Sequence, residues 1–401
     1  MTTPPPQELL RRLQELEAGR ILLAGLPGEP PVYLVGGAVR DLLRGDRPSE
    51  LDLVLEGDAV ALARRIPNAE VVTYDRFGTA TIRLHGHSYD IAGARRETYE
   101  HPGALPTVAP APLGEDLRRR DFTVNAIAMA LDSGDLEALP GALKDLDRRV
   151  LRVLHERSFS DDPTRLLRLA RYAARLKFSV EPRTGELARS AVRERALETV
   201  SGARIGAELR LLAREPDPSA AFEALKGLEL DRAIHPRFGL ADPQAARSAL
   251  ELLPPDGRRE ALVLAAAAQK IPPHELRALL ERLAFQAPER ERIIAAATRA
   301  PALAERLRAA RRPSEIAAAA RNVAPELVAL AGAHGAGEQA KAWLERLRHV
   351  QLEIDGQDLI AAGVAEGPQI GRALNAALAA KLDGRATGRD AELREALGAV
   401  R

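Results

Sequence analysis

No cysteine occurs among the 401 residues, which excludes disulfides, thiolate metal sites and cysteine nucleophiles and fits a reducing compartment. Aromatic residues make up only 3%, too few for a reader of single strands built from stacking platforms. Neither a signal peptide nor a membrane span is visible. The opening stretch MTTPPPQELLRRLQELEAGR instead places Leu9, Leu10, Leu13 and Leu16 at helical spacing behind a run of prolines. A cytoplasmic protein beginning with an amphipathic helix is expected. Net charge is also nearly absent, at +1, so bulk electrostatics neither demands nor forbids a nucleic-acid partner.

The length exceeds what one compact core accommodates and calls for two to four domains. Charge is unevenly distributed: between Arg148 and Arg214 there are 16 Lys/Arg against 8 Asp/Glu. Such a basic segment suits a phosphate backbone, although arginine-rich solvated helices carry the same pattern. The region from Val32 to Ala94 reads as mixed α/β, with strands at Val32–Val35, Leu51–Leu55, Val71–Tyr74, Thr79–Leu84 and Ser88–Ile91. One helix follows Gly36-Gly37 and another lies near Asp58–Arg65. The run from Gly93 to Glu115 is rich in Pro and Gly and reads as a long loop, in which Arg95, Arg96, Glu97 and Tyr99 are placed to touch a substrate. After Arg157 everything reads helical, with no convincing strand.

The most informative stretch is Leu34 to Leu55, LVGGAVRDLLRGDRPSELDLVL. A strand delivers Gly36 and Gly37, whose missing side chains let backbone N–H groups approach a triphosphate at the start of a helix. Glu50 and Asp52, two residues apart in an extended segment, share one face while Leu51 and Leu53 take the other. Hard oxygen donors in that arrangement suit Mg²⁺. Asp90, in a neighbouring strand, is either a third ligand of a two-metal site or an edge carboxylate facing water.

Two further runs carry chemistry. Arg119-Arg120-Asp121-Phe122-Thr123-Val124-Asn125 sets two guanidiniums, suited to bidentate phosphate contact, beside an Asp and an Asn suited to ribose hydroxyls. Phe159-Ser160-Asp161-Asp162-Pro163-Thr164-Arg165 reads as a helix start, since acidic residues and an early Pro are favourable there. On the helix that follows, Arg165, Arg168, Arg171 and Arg175 are expected on a polar face, opposite Leu166, Leu169, Ala170 and Ala173. An Asp and an Arg one turn apart can also read the Watson–Crick edge of a base.

Together these motifs resemble the class II tRNA nucleotidyltransferases, the family of CCA-adding enzymes and bacterial poly(A) polymerases. Gly36, Gly37, Arg40, Asp41, Glu50 and Asp52 match its glycine and acidic signature, and Arg119 to Ala126 its RRDFTxNA element. Asp161, Asp162, Arg165 and Arg168 match its base-reading EDxxRxxR, and Arg204 to Leu209 an element bracing the neck helices. IDGQDLIAAGVAEGPQIGRAL from Ile354 resembles its tail signature. The chain departs from the pattern at Glu50, where Asp is usual.

The resemblance implies an α+β architecture: a polymerase-beta-like head with a mixed five-stranded sheet and helices, followed by an elongated all-α neck, body and tail. Boundaries are expected at 1–147, 148–215 and 216–401. It further implies that Glu50 and Asp52, with Asp90, bind Mg²⁺, and that Gly36, Gly37, Arg119 and Arg120 hold triphosphate. Asp121 or Asn125 would meet the ribose, Asp162 and Arg165 would pair with the base of ATP or CTP, and Arg168 would aid phosphate or base positioning. The implied partner is the tRNA 3′ end. Products within the family range over CCA, CC, the terminal A alone and poly(A); the extended RRETYEHPGALPTV loop and the SFSDDPTRLLRLARYAARLKF context resemble A-adding members. Antibiotic and protein nucleotidyltransferases share such a head, but the basic neck and helical body weigh against them. No His-Asp dipeptide occurs, so a second phosphohydrolase activity is not expected.

Overall fold

The computed structural model describes residues 3–74 and 78–400, which divide into two compact units, residues 1–201 with 227–233 and residues 202–226 with 234–401. The expected boundary at 147/148 falls inside the first unit. Helices α1 (Pro6–Gln14) and α2 (Glu17–Gly25) open the chain, and α1 buries Leu9 and Leu13 completely. Strand β1 (Val32–Val35) leads into α3 (Gly37–Arg44), and β2 (Asp52–Leu55) into α4 (Ala59–Ala63). Asp58 caps α4, its side chain accepting from the Ala61 N–H at 3.0 Å. Next come β3 (Glu70–Tyr74), β4 (Thr79–Leu84) and β5 (His87–Gly93).

The main sheet has seven strands where five were expected. Strands β8 (Ile127–Ala130) and β9 (Leu136–Ala138) extend it beyond β1, giving the order β3-β4-β5-β2-β1-β8-β9. Ile127, Ala128 and Met129 are all fully buried, so the run lacks the polar alternation that marks a half-exposed strand. The long loop contains a separate hairpin, β6 (Arg95–Thr98) with β7 (Thr107–Pro110), followed by α5 (Leu113–Arg118). Helix α5 packs Leu113 and Leu117 with Val35, Val54, Ala94, Ala126 and Ala128, which closes one face of the sheet.

After α6 (Ala142–Arg148) come β10 (Val150–Leu151), α7 (Ser158–Asp161), α8 (Thr164–Leu176) and β11 (Ser179–Val180). Strands β10 and β11 pair in parallel, a short exception to the expectation of helix alone beyond Arg157. A second correction concerns α8. Arg165 and Arg171, expected on a polar face, are only 4% and 5% exposed.

The second unit is helical among its described residues. Gly202 and Gly206 on the helix Gly202–Ala213 lie against the Arg282 and Leu283 carbonyls, where a Cβ would collide with backbone. Toward the end of the chain, Asp355 caps the helix Gly356–Ala361 through the N–H groups of Gln357 and Asp358. Leu359, Ala373, Ala377 and Ala396 form a small core of their own there.

In the first unit, Phe122 is fully buried and meets Tyr172 edge-to-face at 5.9 Å between centroids. Phe122→Ala is therefore expected to destabilise the first unit by about 3–5 kcal/mol, measured as a shift of its denaturant midpoint.

Candidate active site

The sheet register decides where the carboxylates meet. Strands β2 and β5 are parallel, and Asp52 stands directly beside Asp90. Neighbouring strands lie about 4.8 Å apart, and residues in register point to the same face. Glu50 precedes β2 in an extended segment whose alternation holds, with Glu50 and Asp52 exposed and Leu51 and Leu53 buried. Although Asp52 reaches solvent, protein atoms crowd it. Burial, then the charges of Glu50 and Asp90, push its carboxyl above the usual range, and Arg120 opposes them. Asp90 accepts a 2.6 Å bond from the Thr81 hydroxyl.

This excess of negative charge on hard oxygens fits a divalent cation. Among the described residues no three acidic or histidine side chains converge into a preformed cluster. Mg²⁺ characteristically takes one or two carboxylates and completes its shell with water and substrate phosphates, so the donor set remains suitable.

Gly36 lies in the turn between β1 and α3 with φ +70° and ψ −128°, a conformation open in practice only to glycine. A Cβ there would stand 2.7 Å from Arg120 Nη1. Its N–H donates to the Ile127 carbonyl at 3.0 Å, so Gly37 and the residues after it begin the set of helix-start amides. The turn, Arg120 and Asp52 thus occupy one neighbourhood.

Arg40, Asp41, Asp121, Asn125 and Arg168 form a bonded network behind that turn. Arg40 is 2% exposed; its Nε donates to Asp41 at 2.8 Å and its Nη1 to Asn125 Oδ1 at 2.7 Å, and the guanidinium lies 5.6 Å from the Tyr172 ring centroid. Asn125 Nδ2 donates to Asp121 Oδ1 at 2.9 Å, and Arg168 donates through Nε and Nη2 to Asp121 Oδ2 at 2.9 and 2.5 Å. Burial alone would raise the Asp121 carboxyl, but Arg168 and Asn125 overcome it and hold the group at about 2. In this arrangement Arg40 is a brace, and both Asp121 oxygens are engaged within the protein.

On the segment that resembles the base-reading element, Asp162 accepts from the Thr164 N–H at 3.1 Å and hydroxyl at 2.6 Å, just ahead of α8. Arg165 donates to Ser158 Oγ and to the Arg119 carbonyl, both at 2.7 Å. Beside it opens a cleft of about 450 Å³ lined by Arg96, Glu97, Tyr99, Arg119, Asp161 and Arg165. Of the two carboxylates that hold the neighbouring arginines, Glu97 was expected near a substrate and Asp116 was not singled out from the sequence. Asp116 receives both Arg119 and Arg120, and Glu97 receives Arg119 Nη1 at 2.8 Å and the Tyr99 hydroxyl at 2.9 Å. The Asp116 contacts follow from the three- and four-residue spacing to the arginines, a signal readable in the sequence.

Residues 32–152 match the family described as the Poly A polymerase head domain. The CC-adding tRNA nucleotidyltransferase of Deinococcus radiodurans is 35% identical over 93% of this chain and 91% of its own length. The chain belongs to the tRNA nucleotidyltransferase family. The family's A-adding enzyme from Geobacter sulfurreducens is 34% identical over 92% of this chain, but the chain spans only 45% of that relative's length. Among solved structures, the Thermotoga maritima CCA-adding enzyme complexed with tRNA-CCA is similar over the whole of both chains, with a TM-score of 0.73 and 28% identity.

Two outcomes test this geometry. Gly36→Ala, which meets both the positive φ and Arg120, should lower nucleotidyl transfer about 5- to 150-fold while the fold is retained, since strain of this kind costs about 1–3 kcal/mol. Because the Asp121 carboxyl is held below its ordinary value, its contribution is present above about pH 4 and disappears as pH falls to about 2. The stability gap between wild type and Asp121→Asn should accordingly shrink by about 2 kcal/mol across that interval in acid-unfolding measurements.

Proposed function

We propose that this chain builds or repairs the 3′-terminal CCA of tRNA in the cytoplasm, transferring AMP or CMP from ATP or CTP with release of pyrophosphate and preferring the terminal A. The observation that carries this reading is the parallel register of Asp52 and Asp90 beside the Gly36 turn and Arg120, in a chain of this family. Glu50, Asp52 and Asp90 would hold Mg²⁺. When bound, the ion supplies neutralisation of phosphate charge and acidification of the attacking hydroxyl.

The chain's own residues bind and orient. The amides that start α3, together with Arg119 and Arg120, receive the triphosphate. Asp162 and Arg165 read the base, in place of a nucleic-acid template. Arg40, Asp121, Asn125 and Arg168 act from behind by fixing the turn and α8 relative to each other. The 3′-hydroxyl then attacks the α-phosphate in line and pyrophosphate leaves. Helices from residue 148 onward, in a neck to residue 215 and a body and tail beyond, would grip the tRNA. The net positive charge of 148–214 supports that assignment. Glu50 lies outside the β2 ladder, where one additional methylene need not disturb strand pairing. Preference for A draws support from the extended β6–β7 loop, whose Gly103 N–H reaches the Ser160 carbonyl at 3.2 Å, next to the base-reading element.

Purified protein with Mg²⁺ should extend tRNA ending in CC with ATP; CTP incorporation into tRNA ending at the discriminator base or at C would replace the A-adding reading with CC or CCA addition. Absence of any incorporation, with tRNA binding retained, would indicate a tRNA-binding protein without catalysis. Asp52→Ala should lower transfer by about 10²- to 10³-fold or more and leave tRNA binding within about threefold. Substituting Asp162 or Arg165 should blur the choice between ATP and CTP more than it weakens triphosphate binding, measured by competition between the two nucleotides.

A further inference from the structure

Asp116 is fully buried and in contact with the two arginines assigned to the triphosphate. Arg119 donates to its Oδ1 through Nε and Nη2 at 2.9 and 2.7 Å, and Arg120 donates to its Oδ2 through Nη2 at 3.0 Å. The Arg95 N–H adds a 3.3 Å bond to Oδ1. Each oxygen therefore serves a different guanidinium, and the rigid carboxylate sets the angle between them. Burial would raise the Asp116 carboxyl, but the two arginines more than offset it and keep it ionised.

The two arginines lead in different directions. Arg120 stands beside Gly36 and acts electrostatically on Asp52, while its buried Nε has no hydrogen-bond acceptor among the described residues. The bond to Asp116 is what orients that guanidinium. Arg119 lies on the cleft with Tyr99 and Asp161, and its carbonyl accepts from Arg165. Asp116 is thus the fork between the phosphate end of the site and its base-reading side.

We propose that Asp116 is a positioning residue that fixes Arg119 and Arg120 at a set mutual angle, so that the triphosphate and the base of one nucleotide are held in register for transfer. This rests on the reading that the two arginines bind the triphosphate. Removing the carboxylate charge leaves the arginines more positive, with Arg119 held by Glu97 alone and Arg120 without its carboxylate, so their mutual angle is no longer fixed; binding of a polyphosphate should survive while productive alignment is lost. Misplacement of reacting groups by about 1 Å can cost about 10²-fold in rate.

The test uses the full chain and compares wild type, Asp116→Asn, Asp116→Glu and the single variants Arg119→Ala and Arg120→Ala. Three readouts are taken: ATP transfer to CC-ended tRNA as kcat and KM, binding of inorganic tripolyphosphate by calorimetry, and the thermal midpoint. For Asp116→Asn the expected result is a kcat about 10- to 100-fold lower, with tripolyphosphate bound at least as tightly as by wild type. Asp116→Glu keeps the charge but not the reach, and should restore the thermal midpoint while kcat stays low. Wild-type kcat in a folded Asp116 variant would overturn the proposal, as would recovery of kcat by Glu in step with the midpoint, the mark of simple charge balance. Undiminished tripolyphosphate binding in both arginine variants would instead overturn the triphosphate reading itself.

Discussion

A guanidinium leaves water only where a carboxylate or an equivalent set of acceptors meets it, and much of the first unit is arranged around that constraint. Arg40, Arg165 and Arg171 are each no more than 5% exposed, and Asp116 and Asp121 sit among arginines at 0% and 6%. Breaking one partner out of such a buried pair costs about 3–5 kcal/mol, because the other charge is stranded. Asp116 is therefore tied to its arginines through both oxygens, and Asp121 to Arg168 through Oδ2 and to Asn125 through Oδ1. Asp121 joins Arg168 on α8 to Asn125 after the RRDF run, and Asn125 passes the connection to Arg40 on α3. Asp116 joins α5 to both arginines that begin that run.

The carboxylate site itself obeys the opposite rule. Asp52, Asp90 and Glu50 repel one another, with Arg120 as the nearby countercharge, and burial together with the two neighbouring carboxylates raises the Asp52 carboxyl. A structure that pairs its buried charges so carefully elsewhere leaves negative charge unbalanced at the end of β2, beside a glycine turn suited to phosphate. A cation and a triphosphate would neutralise each other's effects there. In the proposed reading, arginines already fixed by Asp116 would lower what must be rearranged when nucleotide arrives.

Legibility followed the physics of each element. Strands β1 and β4 were readable with their observed bounds and β2, β3 and β5 to within two residues, because turn residues punctuate them. Strand β8 was not, since Ile127-Ala128-Met129-Ala130 is apolar on both faces and a short buried run has no period to read. The β6–β7 hairpin was hidden because its strands pair only with each other and carry few apolar residues. In the site, the Gly36 turn and the placement of Glu50 and Asp52 on one face were legible from spacing. Burial of Arg165 was not, because one of its two acceptors is the backbone of Arg119, 46 residues earlier.

By itself, then, the sequence determined what depends on neighbours along the chain: a turn that only glycine can occupy at Gly36, alternation through Leu51 to Leu53, and caps at Asp58 and Asp355. Those features rest on backbone sterics and on hydrogen bonds closed within a few residues. Only the tertiary structure decided that Asp90 stands beside Asp52, and that Asp121 is paired with Arg168 while Asp116 holds Arg119 and Arg120. Strand register and desolvation are set by what the fold packs against a residue, and the strength of a charge interaction changes severalfold with that surrounding.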